Sequence, residues 1–114
     1  MTEEQRWPRQ AFVHLAVHYP KPEHVEDQLA SMRRVADAAQ GAPGLVSIGP
    51  WRDLRSGRVV GLSLWESKEA FDAAIPGIFA RVDDPDPDGD WEERPPDSFH
   101  LRPAPEDGGV PPLS

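Results

Sequence analysis

Between residues 59 and 78 the apolar pattern of the chain changes its period. Val60, Leu62 and Leu64 alternate with Val59, Gly61, Ser63 and Trp65, which is the period of two that a strand imposes. Ser67 then stands where a helix cap is expected, and Phe71, Ile75 and Ile78 recur at helical spacings of four and three. A strand that hands over to a capped helix within two residues commits the chain to neighbouring layers of sheet and helix, with a tryptophan at the junction. Pro76-Gly77 is expected to kink or split that helix before Val82.

The remaining elements follow from the same reading. Residues 11–19 alternate Ala11, Val13, Leu15, Val17 and Tyr19 with Phe12, His14, Ala16 and His18; both sets are largely apolar, as in a central strand. Pro20 and Pro22 stop it, and Pro22 suits the first turn of a helix, where its missing N–H costs little. Val25, Leu29, Met32, Ala36 and Ala39 form the buried stripe of that helix, which Gly41, Pro43 and Gly44 end. Strands over 45–52 and 58–66 flank a turn at 53–57, and a last strand is expected around Ser98–Arg102. The order strand, helix, strand, strand, helix, strand predicts an α+β, ferredoxin-like βαββαβ fold with a four-stranded antiparallel sheet and both helices on one face.

At 114 residues the chain suits one domain. That domain is expected over 11–102, with a polar extension at 1–10, an acidic proline-rich loop at 83–97 and a flexible tail at 103–114, where apolar content is too low to order the chain. Twenty Asp and Glu against twelve Lys and Arg give a formal charge of -8, which repels phosphate backbones and anionic bilayers; no nucleic acid and no membrane partner is expected. Without cysteine there is no disulfide, thiolate nucleophile or thiolate-bound zinc. The polar first ten residues and the lack of a long apolar run make a cytoplasmic location the expectation.

Helices on one face leave the other face of such a sheet to be covered. Phe12, His14, Ala16, His18, Val59, Ser63, Trp65 and Trp51 are too apolar and aromatic for open water, and the expectation is that they turn away from the helices and meet a second copy, as a homodimer. In this strand order His14 and His18 neighbour Ser63, Trp65 and His100. Imidazoles that exchange protons near neutral pH beside an aromatic surface suit a flat ligand. The same residues serve equally as interface packing, with the histidines satisfied by ordinary hydrogen bonds.

Metal sites are not expected. Four residues along a strand separate His14 from His18 by about 13 Å, too far for one small ion. Asp84, Asp86, Asp88 and Gly89 match the opening of a calcium loop, with Glu92 at its ninth position, but Pro95 stands where a bidentate glutamate belongs. The loop reads as a solvated acidic excursion or as a lid over the cavity.

Trp65-Glu66-Ser67-Lys68-Glu69-Ala70-Phe71 after an alternating strand, with the strand-to-helix transition at Pro20–Pro22, resembles the antibiotic biosynthesis monooxygenase family over residues 11–102. The resemblance implies a dimeric α+β barrel and a cavity lined by the strand-ending tryptophan. It also implies oxygenation of small aromatic or polyketide-like compounds by molecular oxygen, with no cofactor. The chain departs from the family's branches. It has no asparagine, so neither the first-strand asparagine of the haem-degrading branch nor the third-strand amide of the quinone-forming branch is present, and Phe79-Ala80-Arg81-Val82-Asp83 lacks the helix-end histidine. Proton abstraction falls to His14 or His18, with Trp65, Ser63, Phe12, His100 and Trp51 as ligand-binding candidates. A non-catalytic ligand-binding or structural dimer is the alternative.

Overall fold

The computed structural model describes residues 10–104. The extension expected at 1–10 and the tail expected at 103–114 fall outside the described residues, apart from Gln10, Pro103 and Ala104. The elements are β1 (Phe12–His18), α1 (Val25–Ala39), β2 (Leu45–Arg52), β3 (Val59–Trp65), α2 (Lys68–Ala80) and β4 (Asp97–Leu101), with a 3-10 turn at Pro22–His24 leading into α1. The strands pair antiparallel in the order β2-β3-β1-β4, the ferredoxin-like arrangement expected from the element order. No helix among the described residues is long and apolar enough to cross a membrane.

Local chemistry explains the ends. Ser67 is extended, and its hydroxyl accepts the Ala70 N–H at 3.1 Å, which caps α2. Gly41 and Gly44 both have positive φ, +83° and +84°, where the chain leaves α1 and turns into β2. Of the kink or split expected at Pro76, the split does not occur: α2 runs through it as one helix. An interior proline costs about 3 kcal/mol. Phe71 and Ile78 are buried, and Ile75 packs against the same core. Each buried apolar side chain of this size contributes about 1.5–3 kcal/mol, so packing outweighs the backbone penalty.

Register groups the strand residues as alternation predicts. Phe12 pairs with Trp65, His14 with Ser63, Ala16 with Gly61 and His18 with Val59, so all eight share a face. That face is the one the helices cover, which reverses the expectation that it turns away from them. Phe12 and Trp65 lie 5.0 and 5.7 Å, ring centre to ring centre, from Phe71 of α2. Arg52, paired with Val59 across the sheet, reaches Glu26 of α1 at 2.7 Å. The physical reason is bulk: the larger aromatic side chains bury more surface between two layers than the aliphatic set does, and Phe12, Trp65, Phe71 and Ile78 form the core together with Ala39.

The helix-free face is accordingly the other set. Val13, Leu15 and Val17 of β1 stand beside Leu64, Leu62 and Val60 of β3, and Leu101 and Phe99 of β4 lie opposite Val13 and Leu15. Trp51 pairs with Val60 and is 61% exposed on this side.

Candidate functional site

A cavity of about 320 Å³ lies between the sheet and α1. Its floor is the even-numbered side of β1, His14, Ala16 and His18, with Gly61 and Ser63 of β3. Gln28, Ser31, Met32 and Val35 of α1 form the roof, and their spacing of three, one and three places them on one side of the helix. The end of α2 and the start of the acidic loop close one end through Phe79, Val82, Asp83 and Pro85. Small residues make the floor thin: a Cβ on Gly61 would stand 2.8 Å from the Met32 methyl, so the glycine sets how near α1 approaches.

His14 is packed rather than free. Its ring stacks on Phe71 at 5.2 Å and meets the edge of His100 at 5.2 Å, while Nε2 lies 3.1 Å from Ser98 Oγ. Burial, then the neighbouring His100 and His18, hold its pKa below that of an ordinary imidazole, so it is neutral at pH 7.

His18 is held by a carboxylate that comes from far along the chain. Its Nδ1 is 2.9 Å from Glu92 Oε2, and the other Glu92 oxygen accepts the Tyr19 backbone N–H at 2.9 Å. The two side chains are only 19% and 11% exposed. An ionised carboxylate on Nδ1 fixes the tautomer with the proton there and leaves Nε2 with its lone pair, on a ring that lines the cavity. Such an imidazole can accept a proton and pass it on.

The acidic loop is therefore a wall of the site. Backbone bonds from Lys21 N–H to the Trp91 carbonyl (2.8 Å) and from Glu93 N–H to the Tyr19 carbonyl (2.9 Å) tie it to the end of β1. Two of the calcium-like aspartates, Asp84 and Asp86, are spent inside the loop, Asp84 on the Asp86 N–H at 2.9 Å. Asp86 accepts the Asp90 and Trp91 N–H groups with its two oxygens, at 2.8 and 3.0 Å, and Glu92 turns to His18. Among the described residues no three His, Asp or Glu side chains gather where an ion could sit.

The other predicted residues divide. Ser63 lines the cavity, and its Oγ accepts the Trp65 indole N–H at 2.9 Å. Trp65 is fully buried behind it, with Phe12, so both shape the wall from within rather than offering a stacking surface. His100 stands at the sheet edge, in ring contact with Phe12, His14 and Phe71 but outside the cavity lining. Trp51 lies on the opposite face and is not brought to the site. Sequence reading named Glu92 only as a calcium-loop position, not as the partner of His18, and missed Gln28. No local signal marks Glu92, which reaches its partner across 74 positions. Gln28 had one: a polar residue that precedes Leu29 directly in the buried stripe of α1.

No family model matches the sequence, and no curated protein is similar enough to stand as a relative. Solved structures are similar in shape. A conserved protein from Methanosarcina mazei superimposes with a TM-score of 0.70 at 16% identity, over 82% of this chain and 93% of the other. A protein named antibiotic biosynthesis monooxygenase gives 0.66 at 17% identity, over 82% and 99%. A Nitrosomonas europaea protein, provisionally named for the same activity, gives 0.68 at 13% identity, over 86% and 94%. This chain shares their fold. Identities this low carry the architecture alone, and several of the proteins that have it bear the monooxygenase name.

Proposed function

We propose that the chain is a cofactor-independent monooxygenase acting on a small aromatic or polyketide-like compound, with His18 as the base and His14 and Ser63 as polar neighbours of the substrate. The carrying observation is the carboxylate-oriented imidazole of His18 in the floor of a largely apolar cavity of about 320 Å³, a size suited to small ligands. His18 removes a proton from an activated C–H, as in an anthrone, and the enclosure shields the carbanion from water. The carbanion supplies electrons to oxygen, and the C–O bond forms as a peroxide that takes up a proton. Loss of the second C–H proton with departure of hydroxide leaves a carbonyl and one water, so no external reductant is required.

The helix-free face supports the homodimer that this reading includes. Phe99 and Leu101 on one edge strand are each 44% exposed there and Trp51 on the other edge strand is 61% exposed, with the aliphatic rows of β1 and β3 between them, and the same surface twice closes a twofold interface. Leu15→Glu, at its centre, yields a monomer by light scattering; a monomeric wild-type protein at micromolar concentration removes the dimer.

Oxygen consumption with an anthrone tests the activity. His18→Ala abolishes turnover, whereas equal rates in the wild type and in His18→Ala refute the assignment. A second reading, a ligand-binding protein without turnover, rests on the same cavity and is recognised by binding without oxygen uptake.

A further inference from the structure

Gln28 is the polar residue of the cavity whose environment is incomplete. It is 9% exposed, and none of the side-chain hydrogen bonds found among the described residues involves its carboxamide. Among the described residues no side-chain nitrogen or oxygen sealed from solvent lacks a partner, so the amide atoms of Gln28 are not sealed; they open on the cavity the residue lines. A nine-tenths-buried amide with donor and acceptor both unmet is costly unless something enters to meet it. From the roof, Gln28 faces a floor that carries Ser63, whose oxygen is already committed to the Trp65 indole and whose own O–H stays free to donate. Ser31 stands one helical turn along the same roof.

Charge narrows what can enter. Among the described residues no lysine or arginine lines the cavity, and Asp83 and Asp84, both exposed, stand at one end of it. A carboxylate or phosphate ligand would lose hydration without gaining a cation, and would approach two aspartates. Among ligands that carry no positive charge, the class that remains is uncharged and polar on both sides.

We infer that Gln28 is the specificity-determining residue of the cavity, its carboxamide hydrogen-bonding a hydroxyl or carbonyl on a planar, uncharged aromatic ligand lying between α1 and the sheet. This rests on the ligand-cavity reading of the proposed function and deepens it: the substrate class is a neutral phenol or hydroxy-ketone rather than an aromatic acid or a bare hydrocarbon. The amide supplies both a donor and an acceptor, so it serves a hydroxyl before reaction and a carbonyl after it. Held at that edge, the ligand's other side meets the imidazole floor.

The test compares two probes of one shape, 1-naphthol and 1-methylnaphthalene, by calorimetric titration of the wild type and Gln28→Met, with 1-naphthoic acid as the charged control. The wild type is expected to prefer the naphthol over the methyl compound by about fivefold to tenfold, and Gln28→Met to lose that preference while binding the methyl compound as before. The acid is expected to bind weakest. A preference that survives in Gln28→Met overturns the role of Gln28 and leaves the cavity standing, as does a wild type that binds both neutral probes equally. A wild type that binds none of the three overturns the cavity reading and this inference with it. Should Gln28→Met fail to fold by circular dichroism, Gln28→Leu carries the same comparison.

Discussion

Replacing Ser63 with alanine takes away the only hydrogen-bond partner that a fully buried indole has among the described residues. Trp65 is 0% exposed and Ser63 6%, and their hydrogen bond of 2.9 Å joins side chains two residues apart on the same face of β3. Deleting the acceptor leaves a buried N–H without one, which costs about 1–3 kcal/mol, more than an exposed serine hydroxyl would. For a domain of this size each kcal/mol lowers Tm by about 4–8 °C, so Ser63→Ala is expected to melt roughly 4 °C to 24 °C below the wild type. The origin of the loss is isolated by repeating the change in Trp65→Phe, where no donor remains. There the same substitution should cost little, giving a coupling of about 1–2 kcal/mol. Thermal and urea unfolding followed by circular dichroism, at one fixed protein concentration because assembly would shift the curves, supplies the four free energies. A loss below about 0.5 kcal/mol, or one equal in both backgrounds, refutes the argument. It would mean that the indole turns to water in the cavity, and that Ser63 is not the fixed hydroxyl the site requires.

Three further expectations follow from the geometry. Glu92→Gln keeps the shape but removes the charge from the bond to His18, so it should cost about 1–3 kcal/mol and speed amide exchange at Lys21 and Glu93, whose N–H groups tie the loop to β1; unchanged exchange at both would show the loop to be anchored elsewhere. His14 should titrate by NMR below the ordinary value of 6.5, from burial first and then His100 and His18. The unfolded chain then takes up this proton near pH 6.5 and the folded one only at lower pH, so this residue's share of stability is lost as pH falls through that window and should vanish in His14→Gln; a midpoint above 6.5 contradicts the sign. Gly44→Ala meets two penalties, a φ of +84° and a Cβ 2.5 Å from that of Ala70, whereas Gly41→Ala, at φ +83° with open space, meets one. The first should cost at least about 1 kcal/mol more than the second in urea unfolding, and equal costs would deny the contact.

Much of the architecture was legible because strand alternation and helical spacing are local properties. β2 was expected over 45–52 and is found at Leu45–Arg52, and the grouping of Phe12, His14, Ala16 and His18 with Ser63 and Trp65 followed from period two. Which group meets the helices was not legible, since both faces of β1 are apolar and alternation assigns partners without assigning sides. The connection Glu66-Ser67 and the aromatic trio Phe12, Trp65 and Phe71 settle it in three dimensions. Part of the cavity lining was legible for the same reason. His14, His18 and Ser63 lie on regular strands and were located by register, whereas Glu92 arrives from a loop whose path depends on backbone bonds to Tyr19 and Lys21. Composition alone makes that loop look solvated; its attachment is a tertiary effect.

The odd and even residues of β1 belong to different tasks, because consecutive side chains project to opposite sides. Substitutions at 14, 16 or 18 can remodel the chamber without touching the outer surface, and those at 13, 15 or 17 can remodel the outer surface without touching the chamber. Selection can thus tune the two almost independently, one point change at a time. Length is the forbidden variable: gaining or losing a single residue within this strand would exchange the two sets, driving imidazoles outward and leucine and valine into the chamber.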